Sequence, residues 1–364
     1  MNEGIYNRNR DSVGGGLLHR KIIYHNLFAR IISLKNLLAA WYEFKRGKGK
    51  KQDVQEFEFN LEDNLFSLHQ DLKSKNYRHG DYLSFYIYDP KLRHIHKATV
   101  RDRLLHHAIF RVLYPIFDKK FIYDSYSCRL HKGTHRGVLR LRQFTRKASA
   151  NYRSSAYVLK CDVKKFFASI NHDILLSLIE KEILDYDVLW LIEEILKSYK
   201  SGLPLGNVTS QLFANIYLNE LDQFMKHQLK EKYYIRYCDD FIILHKDKNH
   251  LENIVIVIQK FLNLKLDLKL HPAKIIFRKL NQGIDFLGYI VLPHYIVIRT
   301  KTKRRMLKKL RIKKSQLENG MITINAFNHS LQSYLGILKH CKGIGINQEI
   351  LYKFAKVWRD IETL

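Results

Sequence analysis

The chain has 364 residues, 46% of them hydrophobic, so it can bury a core of two or three subdomains and is not a disordered tail. Its 63 lysine and arginine residues outnumber 35 aspartate and glutamate residues, and the formal charge of +28 favours a polyanionic partner such as nucleic acid. A membrane-surface or ribosomal role would give a similar charge balance and stays open at this point.

The residue pattern argues against two further classes of protein. The four cysteines lack CxxC spacing, which excludes the usual zinc site and a disulfide framework. No apolar run approaches the roughly 18 residues of a membrane span, and the polar segment Met1–Arg10 contains no signal-peptide core. We therefore expect a soluble protein in a reducing, cytoplasmic setting, without a membrane partner.

The first third of the sequence predicts mainly helices. Apolar residues at helical spacing predict a helix over Leu17–Phe44, and the basic run Lys45–Lys51 predicts an exposed loop suited to contact a phosphate backbone. The elements expected next are a helix, a strand, a turn and a basic segment, at Asn60–Ser74, Tyr82–Tyr88, Asp89-Pro90 and Lys91–Arg103.

From Ala156 onward, short apolar runs alternate with helical patterns, which is typical of mixed α/β order. Strands are expected at Tyr157–Cys161 and near Ile275–Phe277. The expected helices lie at about Asp173–Ile183, Val188–Tyr199, Thr209–Gln228 and His250–Phe261. Farther on, the basic segment Lys301–Lys314 predicts a helix with one charged face, which is suited to follow a nucleic-acid duplex.

Two adjacent carboxylates, Asp239 and Asp240, lie where one strand-forming run gives way to another. The flanking runs, Lys232–Tyr237 and Phe241–His245, are rich in aromatic and β-branched residues and predict a hairpin with the carboxylates at its tip. Two carboxylates in this position would repel each other unless a cation lay between them. The pattern therefore indicates a metal site.

A third carboxylate, Asp162, directly follows the strand predicted at Tyr157–Cys161, and strand ends are where α/β proteins expose catalytic side chains. If Asp162 meets Asp239 and Asp240, three carboxylates surround a site for two Mg²⁺ ions about 3.5 to 4 Å apart, an arrangement that catalyses in-line phosphoryl transfer. Polymerisation of nucleotides is a reaction of this kind. Taken singly, each aspartate fits a surface turn or a helix cap equally well.

Several segments resemble, in their order along the chain, the motifs of reverse transcriptases. LKCDVKKFFASINH (159–172) resembles motif A, GLPLGNVTSQLFANIYL (202–218) resembles motif B, and YCDD (237–240) resembles motif C. FLGY (286–289) resembles the turn that follows motif D, and residues 97–137 are similar to the finger motifs of the bacterial, group II intron-like branch.

This resemblance covers about residues 85–290 and implies an α/β (α+β) fold of the right-hand polymerase type. The implied parts are an N-terminal helical extension, fingers, a catalytic palm and a short helical thumb, at residues 1–44, 45–155, 156–290 and 291–364. The resemblance also implies a cytoplasmic protein of bacterial, archaeal or phage origin.

The resemblance implies roles for the carboxylates and their neighbours. Asp162, Asp239 and Asp240 would bind two Mg²⁺ ions, for which Mn²⁺ could substitute, and the main-chain carbonyl of Val163 would join them. Lys274 would act as a general acid that protonates the pyrophosphate leaving group. For Lys274, a solvated surface lysine is the alternative.

Four further side chains are implied in nucleotide binding. Phe167 lies five residues after Asp162, where these enzymes keep an aromatic gate that excludes a ribose 2′-hydroxyl and so selects dNTPs. An ordinary core aromatic residue is the alternative for Phe167. Lys97, Arg101 and Arg129 lie in the finger motifs and would grip the triphosphate, because the guanidinium fork in particular matches phosphate oxygens.

The segment that resembles motif B departs from the common Gln-Gly-x-x-x-Ser-Pro pattern. Leu205 replaces the first glutamine before Gly206, and Gln211 replaces the proline. The resemblance implies that these three residues also bind the nucleotide. This variant resembles the enzymes of diversity-generating retroelements, which copy a template-repeat RNA into cDNA with frequent errors at adenines. The implied partners are that RNA, a DNA or RNA primer, the cDNA, dNTPs and a small basic accessory variability protein. Because leucine offers no hydrogen bond beside the nascent base pair, discrimination there would depend more on shape.

Other interpretations stay open. Retron, CRISPR-associated and group II intron-type reverse transcriptases are the nearest alternatives, although a group II intron protein is expected to carry a longer region after the thumb. The letters Asn325-Ala326-Phe327-Asn328-His329 match a retron pattern but lie far downstream of motif C. A catalytically silent RNA-binding protein on the same scaffold is a further alternative, but it would have no reason to keep three carboxylates in a basic cleft.

Overall fold

The computed structural model describes Tyr24, residues 26–89 and residues 91–341. Residues 17–23 and residue 25 of the first predicted helix, Pro90 of the predicted turn, and residues 342–364 of the predicted thumb lie outside these ranges. Among the described helices, none is both long and apolar enough to cross a lipid bilayer.

Helices and strands follow one another in mixed order, which confirms the predicted α/β class. The helices are α1 (Leu27–Ile32), α2 (Leu34–Lys45), α3 (Gln52–Phe59), α4 (Leu61–Lys73), α5 (Val100–Asp118), α6 (Thr134–Ala148), α7 (His172–Glu180), α8 (Tyr186–Lys197), α9 (Val208–Gln223), α10 (Lys248–Leu266), α11 (Thr300–Glu318) and α12 (Ile324–Leu338). The strands are β1 (Leu83–Ile87), β2 (Arg93–Lys97), β3 (Tyr157–Asp162), β4 (Tyr234–Tyr237), β5 (Asp240–His245), β6 (Ile276–Lys279), β7 (Ile284–Phe286), β8 (Tyr289–Val291) and β9 (Ile296–Ile298).

A four-stranded antiparallel sheet in the order β4-β5-β3-β6 carries the strands that were predicted around the carboxylates. Successive side chains of a strand point to opposite faces, and both faces of this sheet are covered. Along β3, Leu159 and Cys161 pack into one buried cluster with α5, α9 and α10, whereas Val158 packs into a second cluster with α6 and β7. Coverage on both faces explains why β4 and β5 are largely apolar and buried, whereas the edge strand β6 is mostly exposed.

The first predicted helix is interrupted in the structure. Ser33 has φ −55° and ψ 136° and separates α1 from α2, and its hydroxyl accepts a hydrogen bond from the Asn36 amide at 3.3 Å. Serine is among the residues that favour the N-cap of a helix, because its side chain satisfies an otherwise unpaired amide. Apolar spacing continues through the break, so the prediction of a single helix was wrong at this point.

The segment predicted as a basic stretch over Lys91–Arg103 contains β2 and the start of α5. Strand β2 pairs with β1 to form a two-stranded hairpin, and every residue of β1 is exposed. Just beyond β1, Asp89 forms ion pairs with Lys309 and Arg305 of α11. The hairpin of the predicted fingers thus contacts the first helix of the predicted thumb.

An ion pair without solvent exposure joins β4 to α9. Arg236 donates to Asp222 from Nε at 2.7 Å and from Nη2 at 2.5 Å, and both side chains are 0% exposed. The Tyr234 hydroxyl donates a third hydrogen bond to Asp222 at 2.7 Å. Arg236 also donates to the Ser125 hydroxyl and to the Cys238 carbonyl, each at 3.1 Å. One guanidinium therefore holds together α9, the loop after α5 and the hairpin tip.

Breaking the Arg236–Asp222 ion pair should lower the stability of the fold. We expect Asp222→Asn to lower the free energy of unfolding by about 3 to 5 kcal/mol, because it leaves the Arg236 charge buried without a counterion. The double variant Asp222→Leu/Arg236→Met should lose less, since both charges are removed together. Urea unfolding followed by fluorescence measures both changes.

The control is Glu193→Gln, which breaks an exposed ion pair with Lys197 on α8 and should leave the urea midpoint unchanged. An equal loss of stability in the single and the double variant would contradict the prediction.

Candidate active site

The three predicted carboxylates meet at one end of the central sheet. Asp162 ends β3 and lies directly opposite Asp240 at the start of β5 in the antiparallel register. Tyr237 pairs with Asp240, so the hairpin turn consists of Cys238 and Asp239, with φ +55° at Cys238. The predicted hairpin with Asp239 and Asp240 at its tip is confirmed.

Two lysines neutralise two of these carboxylates. Like charges directly opposite each other on neighbouring strands destabilise a sheet, and Asp162 and Asp240 are such a pair. Lys274 donates to Asp162 Oδ1 at 2.6 Å, and Lys160 lies 2.9 Å from Asp240 Oδ2. These contacts compensate part of the repulsion within the cluster.

Burial and mutual repulsion shift the pKa values of the hairpin carboxylates upward. Burial raises the pKa of Asp240 to about 6, although the Lys160 ammonium opposes this change. Burial, followed by the nearby charge of Asp162, raises the pKa of Asp239. Both shifts mean that the folded protein without a bound cation disfavours the ionised carboxylates.

The donor set at this end of the sheet suits a hard divalent cation. Carboxylate oxygens are the ligands that Mg²⁺ and Mn²⁺ prefer, and Asp240 Oδ1 is buried without a hydrogen-bond partner. Within the described ranges, no group of three or more His, Cys, Asp and Glu side chains is already arranged to hold a metal ion. The residues fit the predicted ions by the chemistry of their donor atoms.

The backbone next to Asp162 is fixed by the neighbouring segments. Val163 is buried, its amide donates to the Asp239 carbonyl at 3.3 Å, and the residue forms an isolated antiparallel bridge with Leu270. The Asp162 carbonyl accepts from the His271 amide at 2.8 Å. The predicted role of the Val163 carbonyl as a metal ligand stays a prediction.

Lys274 reaches the site from a short 3₁₀ turn, Pro272–Lys274, that follows His271. Its side chain is partly exposed, and its ammonium is in direct contact with Asp162. A proton donor is thus placed beside one of the three carboxylates. The predicted role as general acid remains a prediction that this placement makes geometrically possible.

Phe167 is joined to the motif B loop through its backbone. The Phe167 carbonyl accepts from the Leu203 amide at 2.7 Å, and His172 Nε2 lies 2.6 Å from the Gly202 carbonyl. Gly202 has φ +69°, and a Cβ atom there would lie 2.3 Å from the Phe167 carbonyl oxygen. Only glycine fits this contact, so the predicted gate residue and the predicted nucleotide-binding loop form one unit.

A pocket of about 290 Å³ brings three predicted nucleotide-binding residues together, namely Lys97, Gly206 and Gln211. Arg103 and Phe85 line the same pocket, so it combines positive charge with an aromatic wall. Lys97 forms an ion pair at 2.6 Å with Asp53, which also accepts from Arg103. Although burial opposes the change, these two cations lower the pKa of Asp53.

Leu205 directly precedes Gly206, which lines this pocket, in the motif B loop. Its carbonyl accepts from the His96 amide of β2 at 3.1 Å. The next residue, Gly206, has φ +126°, and a Cβ atom there would lie 3.3 Å from Ile95 Cγ2. The loop therefore lies against the finger hairpin with little space between the two backbones.

The two predicted arginines of the fingers are engaged within the fold. Arg101 forms an ion pair with Asp71 at 2.6 Å and lies over the ring of Tyr77. Arg129 is 6% exposed and donates to Asp118 and to the Ile122 carbonyl, each at 2.6 Å. In the structure, the Arg129 side chain therefore stabilises the loop after α5. Its predicted contact with a triphosphate stays a prediction.

Sequence reasoning missed two residues of the site, Lys160 and Arg236. Each is the one charged residue within an otherwise apolar or aromatic strand segment, YVLKC in β3 and YIRY in β4. A charge at a buried strand position must be paired, because its desolvation is expensive. A single charged residue within an apolar strand segment therefore indicates a buried ion pair, although the sequence does not reveal the partner.

Comparison with known proteins identifies the family. The model of the family described as reverse transcriptase (RNA-dependent DNA polymerase) matches residues 88–291. The chain belongs to this reverse transcriptase family. The right-hand polymerase arrangement that the motifs implied agrees with this membership and with the mixed helix and sheet architecture.

Similar proteins include two curated relatives and one solved structure. Protein YkfC of Escherichia coli is 25% identical over 242 residues, which cover 55% of this chain and 63% of that protein. Group II intron-encoded protein LtrA of Lactococcus lactis subsp. cremoris is 25% identical over 271 residues, which cover 55% of this chain and 44% of that protein. The structure of telomerase from Candida albicans with a fragment of telomeric RNA is 14% identical, with a TM-score of 0.47, and the match covers 78% of this chain and 55% of that one.

The raised pKa values predict how stability depends on pH and metal. A carboxyl whose pKa is raised in the folded state contributes stability that is present below its unfolded pKa and is lost as the pH rises through the folded pKa. Asp239→Asn should therefore raise the Tm of the metal-free protein at pH 7 by about 2 °C. The gain should disappear below about pH 4, where an ordinary aspartate is protonated.

Thermal unfolding in a chelator and in millimolar Mg²⁺ measures this effect. Mg²⁺ should raise the Tm of the wild type more than that of Asp239→Asn, because a ligand that binds only the folded state stabilises it. The exposed Asp81→Asn serves as control and should show neither effect. A lower Tm of Asp239→Asn than of the wild type, at pH 7 and without metal, would contradict the prediction.

Proposed function

We propose that this reverse transcriptase is active as an RNA-directed DNA polymerase, which extends a primer on an RNA template with dNTPs. The observation that carries the proposal is the register that places Asp162 opposite Asp240, next to Asp239 in the hairpin turn. The family match over residues 88–291 supports it. The chain spans 63% and 44% of the lengths of the two curated relatives, so their activities are not transferred without a test.

In the proposed reaction, the primer 3′-oxygen attacks the α-phosphate of a dNTP, a new phosphodiester bond forms and pyrophosphate leaves. Divalent cations such as Mg²⁺ would supply charge stabilisation for the attacking and leaving oxygens. Asp162, Asp239 and Asp240 are the side chains that would hold them. Lys274, already beside Asp162, would deliver a proton to the departing pyrophosphate.

The remaining residues would select and orient the nucleotide. Phe167 would exclude a ribose 2′-hydroxyl, and its backbone bond to Leu203 fixes it relative to the motif B loop. Lys97 would contribute positive charge from the pocket that also contains Gly206 and Gln211. Such preorganised positions lower the entropic cost of aligning the reactants.

Primer extension tests the proposed activity. With Mg²⁺, dNTPs and an RNA template bearing a DNA or RNA primer, the wild type should make cDNA. Asp162→Asn should reduce the rate at least about 1,000-fold, because stabilisation of several kcal/mol in the transition state is lost. The exposed Asp81→Asn should extend normally. Absence of extension by the wild type with several primers and template RNAs would favour the RNA-binding alternative.

Within this activity, we propose the error-prone subtype of diversity-generating retroelements, acting on a template-repeat RNA with a small basic accessory protein. Leu205 beside Gly206, together with Gln211, supports this subtype. The similarity to the group II intron-encoded protein LtrA supports instead a group II intron-type enzyme. The two proposals differ in the expected error rate at template adenines.

Sequencing of cDNA decides between these subtypes. If the subtype is right, the wild type should misincorporate mainly opposite template adenines, and Leu205→Gln should lower that error severalfold because glutamine restores a hydrogen bond beside the nascent pair. Leu205→Met keeps an apolar side chain and should retain the wild-type spectrum. A low, even error rate in the wild type would favour the group II intron-type enzyme.

A further inference from the structure

We propose that Lys160 is a positioning residue that fixes the Asp240 carboxylate and ties it to the β7–β8 hairpin. This inference rests on the proposed polymerase function. The Lys160 ammonium lies 2.9 Å from Asp240 Oδ2 and donates to the Asp285 carbonyl at 2.9 Å. The side chain is 18% exposed, so the ion pair is shielded from most of the solvent.

The register of the sheet explains why Lys160 reaches Asp240. Lys160 and Asp162 are two residues apart on β3 and therefore project from the same face of the sheet. Lys160 lies opposite Ile242, and Asp162 lies opposite Asp240, so Asp240 is the diagonal neighbour of Lys160. Diagonal neighbours lie about 7 to 8 Å apart, which is within reach of a lysine side chain.

The ion pair decides which oxygen of Asp240 is available. Oδ2 is held by Lys160, whereas Oδ1 is buried without a hydrogen-bond partner. A carboxylate held at one oxygen has a restricted orientation, and a held orientation is what a catalytic ligand requires. Lys274 forms its ion pair with Asp162. Among the ion pairs of the described residues, the partner of Asp240 is Lys160.

The second contact of Lys160 extends this restraint to another element. Asp285 belongs to β7, which leads directly into the FLGY turn and β8. The Asp285 side chain forms an ion pair with Arg299, just before α11. The Lys160 ammonium thus connects the Asp240 carboxylate to the hairpin that precedes the predicted thumb. A shift of that hairpin would change the position of the ammonium and, through it, the orientation of Asp240.

Three variants separate positioning from general stability. Lys160→Met keeps the length of the side chain but removes the charge, Lys160→Arg keeps the charge, and Lys246→Met changes an exposed lysine just after β5 as control. Hydrogen–deuterium exchange of the metal-free proteins, read by mass spectrometry, reports on local order without any catalysis. Primer-extension kinetics report on the active enzyme.

For Lys160→Met, we expect faster exchange confined to residues 237–241 and 284–288. Its kcat should fall about 10-fold to 100-fold with little change in the KM for dNTP, as is typical when a residue that orients a ligand is removed. Lys160→Arg should restore most of both properties, and Lys246→Met should match the wild type.

Two exchange results would overturn the proposal. One is unchanged exchange in both segments of Lys160→Met, and the other is faster exchange over the whole chain without rescue by arginine. If the wild type extends no primer, the proposed function fails, but the exchange arm still decides whether Lys160 restrains Asp240. If the wild type extends a primer and Lys160→Met has the same kcat, the positioning role fails while the polymerase function stands.

Discussion

The geometry of the site depends on the buried ion pair between Arg236 and Asp222. A lone charge in this position would be strongly destabilising, so the pair forces α9 and β4 into one arrangement in which both charges are satisfied. The same guanidinium donates to the Cys238 carbonyl, one residue before Asp239. The network holds only while the guanidinium and its partners stay within hydrogen-bond distance. The position of the carboxylates at the hairpin tip therefore depends on the Arg236–Asp222 ion pair, in which they take no part.

The carboxylate cluster is a local exception in a chain with a formal charge of +28. Burial and repulsion raise the pKa values of Asp239 and Asp240, which indicates that the cluster costs stability when no cation is bound. Lys160 and Lys274 offset part of this cost by direct contact. Strain of this kind is expected at a functional site, where local rules of stability are broken for the sake of chemistry. A structural role for three adjacent carboxylates would leave this arrangement unexplained.

The sequence predicted features that depend on local pattern and missed those that depend on distant partners. The strand before Asp162 and the carboxylate hairpin were predicted correctly because runs of apolar and aromatic residues mark their strands. The hairpin turn lies between two such runs. The break at Ser33 was missed because apolar spacing continues across it, and helices α3, α5, α6 and α12 were not predicted at all. The partners of Arg129, which are Asp118 and nearby carbonyls, are likewise not marked by any local pattern. No periodicity in the sequence encodes the pairing of Lys160 with Asp240.

The motif B loop shows how the backbone and the side chains of one segment can have separate roles. Gly202 and Gly206 have positive φ and lie too close to neighbouring atoms for a larger residue to fit easily. The Leu203 amide and the Leu205 carbonyl bond to Phe167 and to β2, respectively. These bonds use main-chain atoms only, so a change of the Leu205 side chain leaves the position of the loop intact. An altered error rate in Leu205→Gln would then report on the side chain itself, and not on a displaced loop.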